Sequence, residues 1–128
     1  MLIDIDVLIW HLRGYPSATR RLDQLPVLTL SVITYLELIQ GMRDKIELVA
    51  VQKTLSFRNA NVLPLAAKIG ARAATLMELL SLSRGLQLGD ALIATTALDH
   101  QLPLLTENSR HFAPIAGLRI ESFGSPNR

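Results

Sequence analysis

An α/β domain built on a parallel sheet is what this sequence predicts, and three observations carry that prediction. Short apolar runs alternate with longer stretches of helical periodicity. Capping residues and glycines stand where those helices should begin and stop. No linker, internal repeat or low-complexity stretch interrupts the 128 residues, so they read as a single domain, 1–128, with only the tail 124–128 expected to fray.

The elements follow in order. Met1–Asp4 reads as a short buried strand ending at an acid. Val7–Leu12 is helical and stops at Gly14, with Pro16 beyond. Ser17 is read as the cap of a second helix reaching about Leu25, and Pro26–Leu30 as a second strand. Ser31 then suits the N-cap of a helix over Val32–Met42, because its hydroxyl can accept an exposed backbone N–H. Lys45–Phe57 continues as helix and Val62–Leu63 as strand. A long helix over Leu65–Arg84 closes at Gly85, where a left-handed residue is wanted. Asp90–His100 is helical, Pro103–Thr106 a buried strand, and Arg119–Ser122 a last strand at the edge.

Composition excludes several chemistries. The chain has no cysteine, which removes a disulfide framework, a zinc–cysteine site and a cysteine nucleophile, and which fits a reducing cytoplasm. The opening MLIDIDVLIW has acids at 4 and 6 and no basic segment, so it is not read as a signal peptide. No apolar run approaches the ~18 residues of a membrane span, and a soluble protein is expected. Thirteen Lys plus Arg against eleven Asp plus Glu leave a net charge of +2, a weak field for steering nucleic acid. Ten of the thirteen cations are arginine, the residue suited to forked phosphate contacts. Hydrophobic content of 49% and a mean hydropathy of +0.30 are high for a small monomer and point to an interface with another chain.

Four residues stand out as a candidate site. In open parallel sheets, ligands bind beyond the carboxyl ends of the strands. Asp4 ends the first strand, and Asn108 lies two residues past the strand ending at Thr106. Either alone reads as an ordinary turn or cap residue. Glu37 is more telling, because its helix is apolar except for a stripe through Thr34, Glu37 and Gly41, where glycine permits close approach. An acid buried there needs a cationic partner. Asp90 heads a stripe of small residues through Ala94 and Ala97, which turns it inward, although a helix N-terminus favours an acid in any case. Hard oxygen donors gathered in this way suit a divalent cation used on phosphate.

The segments LIDIDVLIW, SVITYLELIQG, LQLGDALIATTAL and LPLLTENSRHF resemble, in order and at the right total length, the signatures of PIN-domain ribonucleases. More narrowly they resemble the VapC-type toxins of bacterial toxin–antitoxin pairs. The resemblance implies a three-layer α/β/α domain with a central, mainly parallel sheet, and a metal-dependent endoribonuclease using Mg²⁺, with Mn²⁺ as an alternative. It implies Asp4, Glu37 and Asp90 as catalytic metal ligands and Asn108 as a fourth site residue. Asp6 and Thr106 match supporting positions, while Ile5 departs from the usual Thr or Ser. Arg13, Arg43 and Arg110 are the expected RNA contacts among the cations flanking the loops. Implied partners are RNA, a VapB-type antitoxin covering the acidic groove, and a second copy in a homodimer. His111, within NSRHF, is read as structural or capping.

Two other classes compete. One is a PIN scaffold that binds RNA or protein without cutting. The other is a phosphatase opening on Asp4-Ile5-Asp6, which requires a later lysine and a late acidic pair not evident after Thr106. A receiver-type signalling domain requires an Asp after the third strand, and Val62-Leu63-Pro64 offers none.

Overall fold

The computed structural model describes residues 1–125. The chain runs β1 (Leu2–Ile3), α1 (Ile5–Leu12), α2 (Pro16–Asp23), β2 (Thr29–Ser31), α3 (Val32–Gln40) and α4 (Lys45–Phe57). It continues β3 (Asn61–Leu63), α5 (Ala67–Arg84), α6 (Leu88–Asp99), β4 (Leu104–Thr106), α7 (Ser109–Phe112) and β5 (Ile120–Ser122). The five strands form one sheet in the order β3-β2-β1-β4-β5. All four strand pairs are parallel, with Leu2 set against Thr29 on one side and Leu104 on the other.

Alternation along the central strands divides the core in two. Ile3 and Leu105 point to one face, where they pack with Val7 and Leu8 of α1, Leu22 of α2, Leu38 of α3 and Val51 and Leu55 of α4. Leu2 and Leu104 point to the other, against Ala73 of α5, Ala91, Ile93, Ala94 and Ala97 of α6, and Phe112 of α7. The result is the expected three-layer arrangement. The three alanines of α6 let it sit close to the sheet, and all three are fully buried.

Several boundaries shift for local reasons. The first strand is only Leu2–Ile3, because Asp4 leaves it to cap α1, accepting from the Ile5 N–H at 2.8 Å. Ser17 is not the cap of α2. Pro16 takes the first helical position, where its missing N–H costs nothing, and Tyr15 stands before it without a side-chain cap bond. Ser31 does cap α3, its Oγ accepting from Ile33 N–H at 3.1 Å. Gly85 ends α5 at φ 69°, the left-handed turn expected of it. The short helix α7 was not expected, since four residues are too few to carry a period. Of the tail, Gly124 and Ser125 lie outside any strand or helix, and 126–128 fall outside the described residues.

The topology fixes where a site can form. From β1 the chain moves to β2 on one side and returns later to β4 on the other, so the strand order reverses at β1. Loops from β1 and β4 leave the same rim and diverge there, opening a crevice at the carboxyl ends of the strands.

Candidate active site

At that crevice one hydroxyl adds a side-chain tie between the paired first and fourth strands. Thr106, fully buried at the end of β4, donates its Oγ1 proton to Asp4 Oδ2 at 2.7 Å. The same oxygen lies 3.3 Å from Asp6 Oδ2 and accepts the Asn108 N–H at 3.0 Å. Asp6 Oδ2 also accepts the Glu107 N–H at 3.1 Å, while its Oδ1 accepts from Val7 at 2.7 Å. The loop after β4 is thus sewn to the start of α1 through residues about a hundred positions apart in sequence. Asp4 is 4% exposed and both of its oxygens are engaged.

Glu37 and Asp90 complete the group from α3 and α6. The Glu37 carboxylate rests against Gly89, where an added Cβ would meet its two oxygens at 3.4 and 3.5 Å. The close approach expected at Gly41 therefore belongs to Gly89. Gly41 only ends α3, and a Cβ there would meet the helix's own carbonyls. Glu37 Oε1 is buried without a hydrogen-bond partner, as is the Thr34 hydroxyl one turn earlier on the same face. Asp90, in the first turn of α6, reaches back to the Gln87 N–H, as an acid at the third helical position can. Its Oδ2 also lies 3.0 Å from Nδ1 of His111 on α7.

Each of these acids holds its proton more tightly than an ordinary carboxyl group. Burial is the main cause for Asp4, outweighing the bonds from Thr106 and Ile5, and the charge of Asp90 adds to it. Asp6 is pushed up to about 7, by burial first and by Asp4 next. Glu37 is raised by burial and then by Asp4 and Asp90, and Asp90 by burial against the opposing pull of His111 and the Gln87 N–H. Asp4, Glu37 and Asp90 therefore lie within one another's fields.

The donor set is wholly hard oxygen, and it includes a buried carboxylate oxygen lacking a partner, as suits Mg²⁺ or Mn²⁺. Among the described residues no three His, Asp or Glu side chains stand close enough together to grip a bare ion. The fit to a cation therefore rests on the chemistry of the donors, not on a preformed cage.

The remaining expected residues divide between two hollows. Arg13 and Arg43 line a groove of about 640 Å³ that includes Glu37, Ile5, Ile9, Met42 and Val51. Arg43 is paired there with Glu47 at 2.7 Å, and the Arg13 guanidinium lies 5.7 Å over the Trp10 ring. Trp10 in turn donates its indole N–H to Glu107. Asn108 and Arg110 line a separate hollow of about 460 Å³ with Ser109, Ser122 and Phe123. Asn108 is tied to Thr106 by its backbone N–H, and its side chain is exposed. Among the described residues its side chain makes no hydrogen bond to the acids. His111 does, and the sequence reading set it aside; its signal was its place in the loop beyond a rim strand.

A profile of the PIN domain matches residues 1–118. The chain belongs to the PIN-domain family. Two relatives place this PIN domain in the VapC branch. It is 39% identical over 118 residues to "Ribonuclease VapC10" of Mycobacterium tuberculosis, covering 88% of this chain and 85% of that protein. It is 37% identical over 119 residues to "Ribonuclease VapC19" of the same organism, covering 87% and 90%. A solved toxin–antitoxin complex from Klebsiella pneumoniae contains a chain that superposes on this PIN domain with a TM-score of 0.79 at 28% identity, covering 97% and 98%. No helix among the described residues of this PIN domain is long and apolar enough to cross a membrane.

Proposed function

We propose that this protein is a Mg²⁺- or Mn²⁺-dependent endoribonuclease, the cytoplasmic toxin of a VapBC-type toxin–antitoxin pair. The observation that carries the reading is the gathering of Asp4, Glu37 and Asp90 at the reversal of strand order, with Glu37 Oε1 buried and unpaired. An acid left in that condition costs stability unless a cation meets it. The names of the relatives, both ribonucleases, supply the substrate class.

Asp4 and Asp90 are the principal holders of the cation, and Thr106 keeps Asp4 facing the crevice. A divalent cation held there supplies Lewis acidity to the phosphate and activates water for attack on phosphorus. Glu37, whose burial raises its affinity for a proton, would take the one released by the attacking water. The bond from phosphorus to the departing ribose oxygen would break in line with that attack, and the oxygen would leave with the bonding pair and take a proton from solvent. Arg13 and Arg43 flank the groove that reaches Glu37 and suit the phosphates of the bound strand.

The same groove suits an antitoxin. Its walls are mainly apolar, and Glu37 and Glu47 offer carboxylates to a basic side chain. Leu79 at 66% and Leu82 at 100% exposure lie on α5, a surface fit for a second copy in a homodimer. The relatives of known structure are toxin–antitoxin complexes, which supports both partners.

The test is cleavage of a mixed transfer and messenger RNA pool by antitoxin-free protein, with Mg²⁺ or Mn²⁺, with EDTA, and with Asp90→Asn. Fragments that require metal and fall at least about 100-fold in the variant are expected. Folded protein that cuts in no lane would favour a binding scaffold, with Ile5, in the groove wall, as the first position to revert to threonine.

A further inference from the structure

The tie between α6 and α7 carries a consequence beyond the family assignment, and it rests on the metal-site reading above. Asp90 has two partners, the Gln87 N–H from its own helix and His111 Nδ1 from across the crevice at 3.0 Å. The Asp90 side chain is 22% exposed and that of His111 42%, so the contact lies at the mouth of the site, neither deep in the core nor freely solvated.

His111 is placed there with little freedom. Its neighbour Phe112 is fully buried in the core cluster with Ile93 and Leu104. At the other end of the short helix, the Asn108 N–H is bonded to the same Thr106 hydroxyl that holds Asp4. The imidazole is therefore carried by a segment anchored at both ends, one of them within the acid cluster itself. Since Asp90 is the acceptor, the imidazole proton is on Nδ1.

We propose that His111 is the positioning residue for Asp90. Its Nδ1–H fixes Asp90 Oδ2 and orients the carboxylate toward Asp4 and Glu37, and so sets the affinity of the site for a divalent cation. The relation inverts the familiar one, in which a carboxylate orients a metal-bound histidine. Here an imidazole orients the carboxylate and does not touch the ion. The group of acids becomes a site because α7 braces Asp90 at its mouth.

The experiment is calorimetric titration of the full chain with Mn²⁺ alone, for wild type, His111→Ala and His111→Asn, with melting in EDTA as the control for folding. Asparagine presents a side-chain N–H near the position of Nδ1. The expected result is Mn²⁺ affinity about 10-fold weaker in the alanine variant and largely restored in the asparagine variant. Melting in EDTA should differ little among the three. Wild-type affinity in His111→Ala, or an asparagine variant as weak as alanine, would overturn the proposal while leaving the metal site standing. A wild type that binds no Mn²⁺ would overturn both.

Discussion

The two halves of the acid cluster are built on opposite terms. On the side of β1 and β4, Asp4 and Asp6 are met by Thr106 and by the backbone N–H groups of Ile5, Val7 and Glu107. On the side of α3, Glu37 Oε1 and the Thr34 hydroxyl are buried with nothing to bond, while Asp90 of α6 is held at the mouth by His111. Evenly distributed partners would make a stable polar core and an inert one. The inequality teaches that the first half is scaffold, rigid because it is satisfied, whereas Glu37 is left with the unmet need that the proposed cation would fill.

The most forceful way to break the comparison is to remove the hydroxyl that completes the scaffold half. Thr106→Val keeps the volume and leaves Asp4 Oδ2 and the Asn108 N–H without their partner. Urea unfolding should register a loss of about 2–3 kcal/mol, with Thr106→Ser much closer to wild type. A valine variant as stable as wild type would mean that the stitch between β1 and β4 is incidental.

A somewhat smaller effect comes from pH. The folded pKa of Asp6 is about 7 against 3.8 for the free side chain, and Asp4, Glu37 and Asp90 are displaced in the same direction. In a folded state with raised carboxyl pKa values, the native protein binds more protons than the unfolded chain, so stability falls as pH rises. The contribution of Asp6 is fully present below about pH 4 and lost as pH passes through about 7. In EDTA the urea midpoint should therefore decline between pH 5 and pH 8, and Asp6→Asn should flatten the decline. A midpoint rising across that window would contradict the placement of these acids.

The smallest expected change sharpens the other half. Glu37→Gln removes a charge that has no partner, and it should melt slightly above wild type in EDTA. In excess Mg²⁺ the order should reverse, because the variant has given up a ligand. Wild type melting above the variant in both conditions would mean that Glu37 is satisfied without metal.

How much of this was legible in the chain depended on range. Strand ends and helix caps follow local rules, so Asp4 and Ser31 were readable at their positions, and the polar stripe on α3 already turned Glu37 inward. Contacts between helices were not readable. The glycine that matters to Glu37 is Gly89, on another element, and only the packing of α3 on α6 selects it over Gly41. His111 escaped for the same reason: its meeting with Asp90 requires β4 to lie beside β1 and a helix of four residues to fold back. Arg110 and Arg13 looked equivalent as loop cations, yet they face different hollows.

The pairing of β1 with β4 also sets a moment in the life of the molecule. Asp4 leaves the ribosome 102 residues ahead of Thr106, which the strand Leu104–Thr106 carries. Until that strand inserts beside Leu2–Ile3, Asp4 lacks its anchor and Asp90 lacks the brace from α7. A nascent chain therefore carries Asp4 through about a hundred further residues before the site can assemble. Late closure leaves an interval in which a partner can meet the chain before its site is complete.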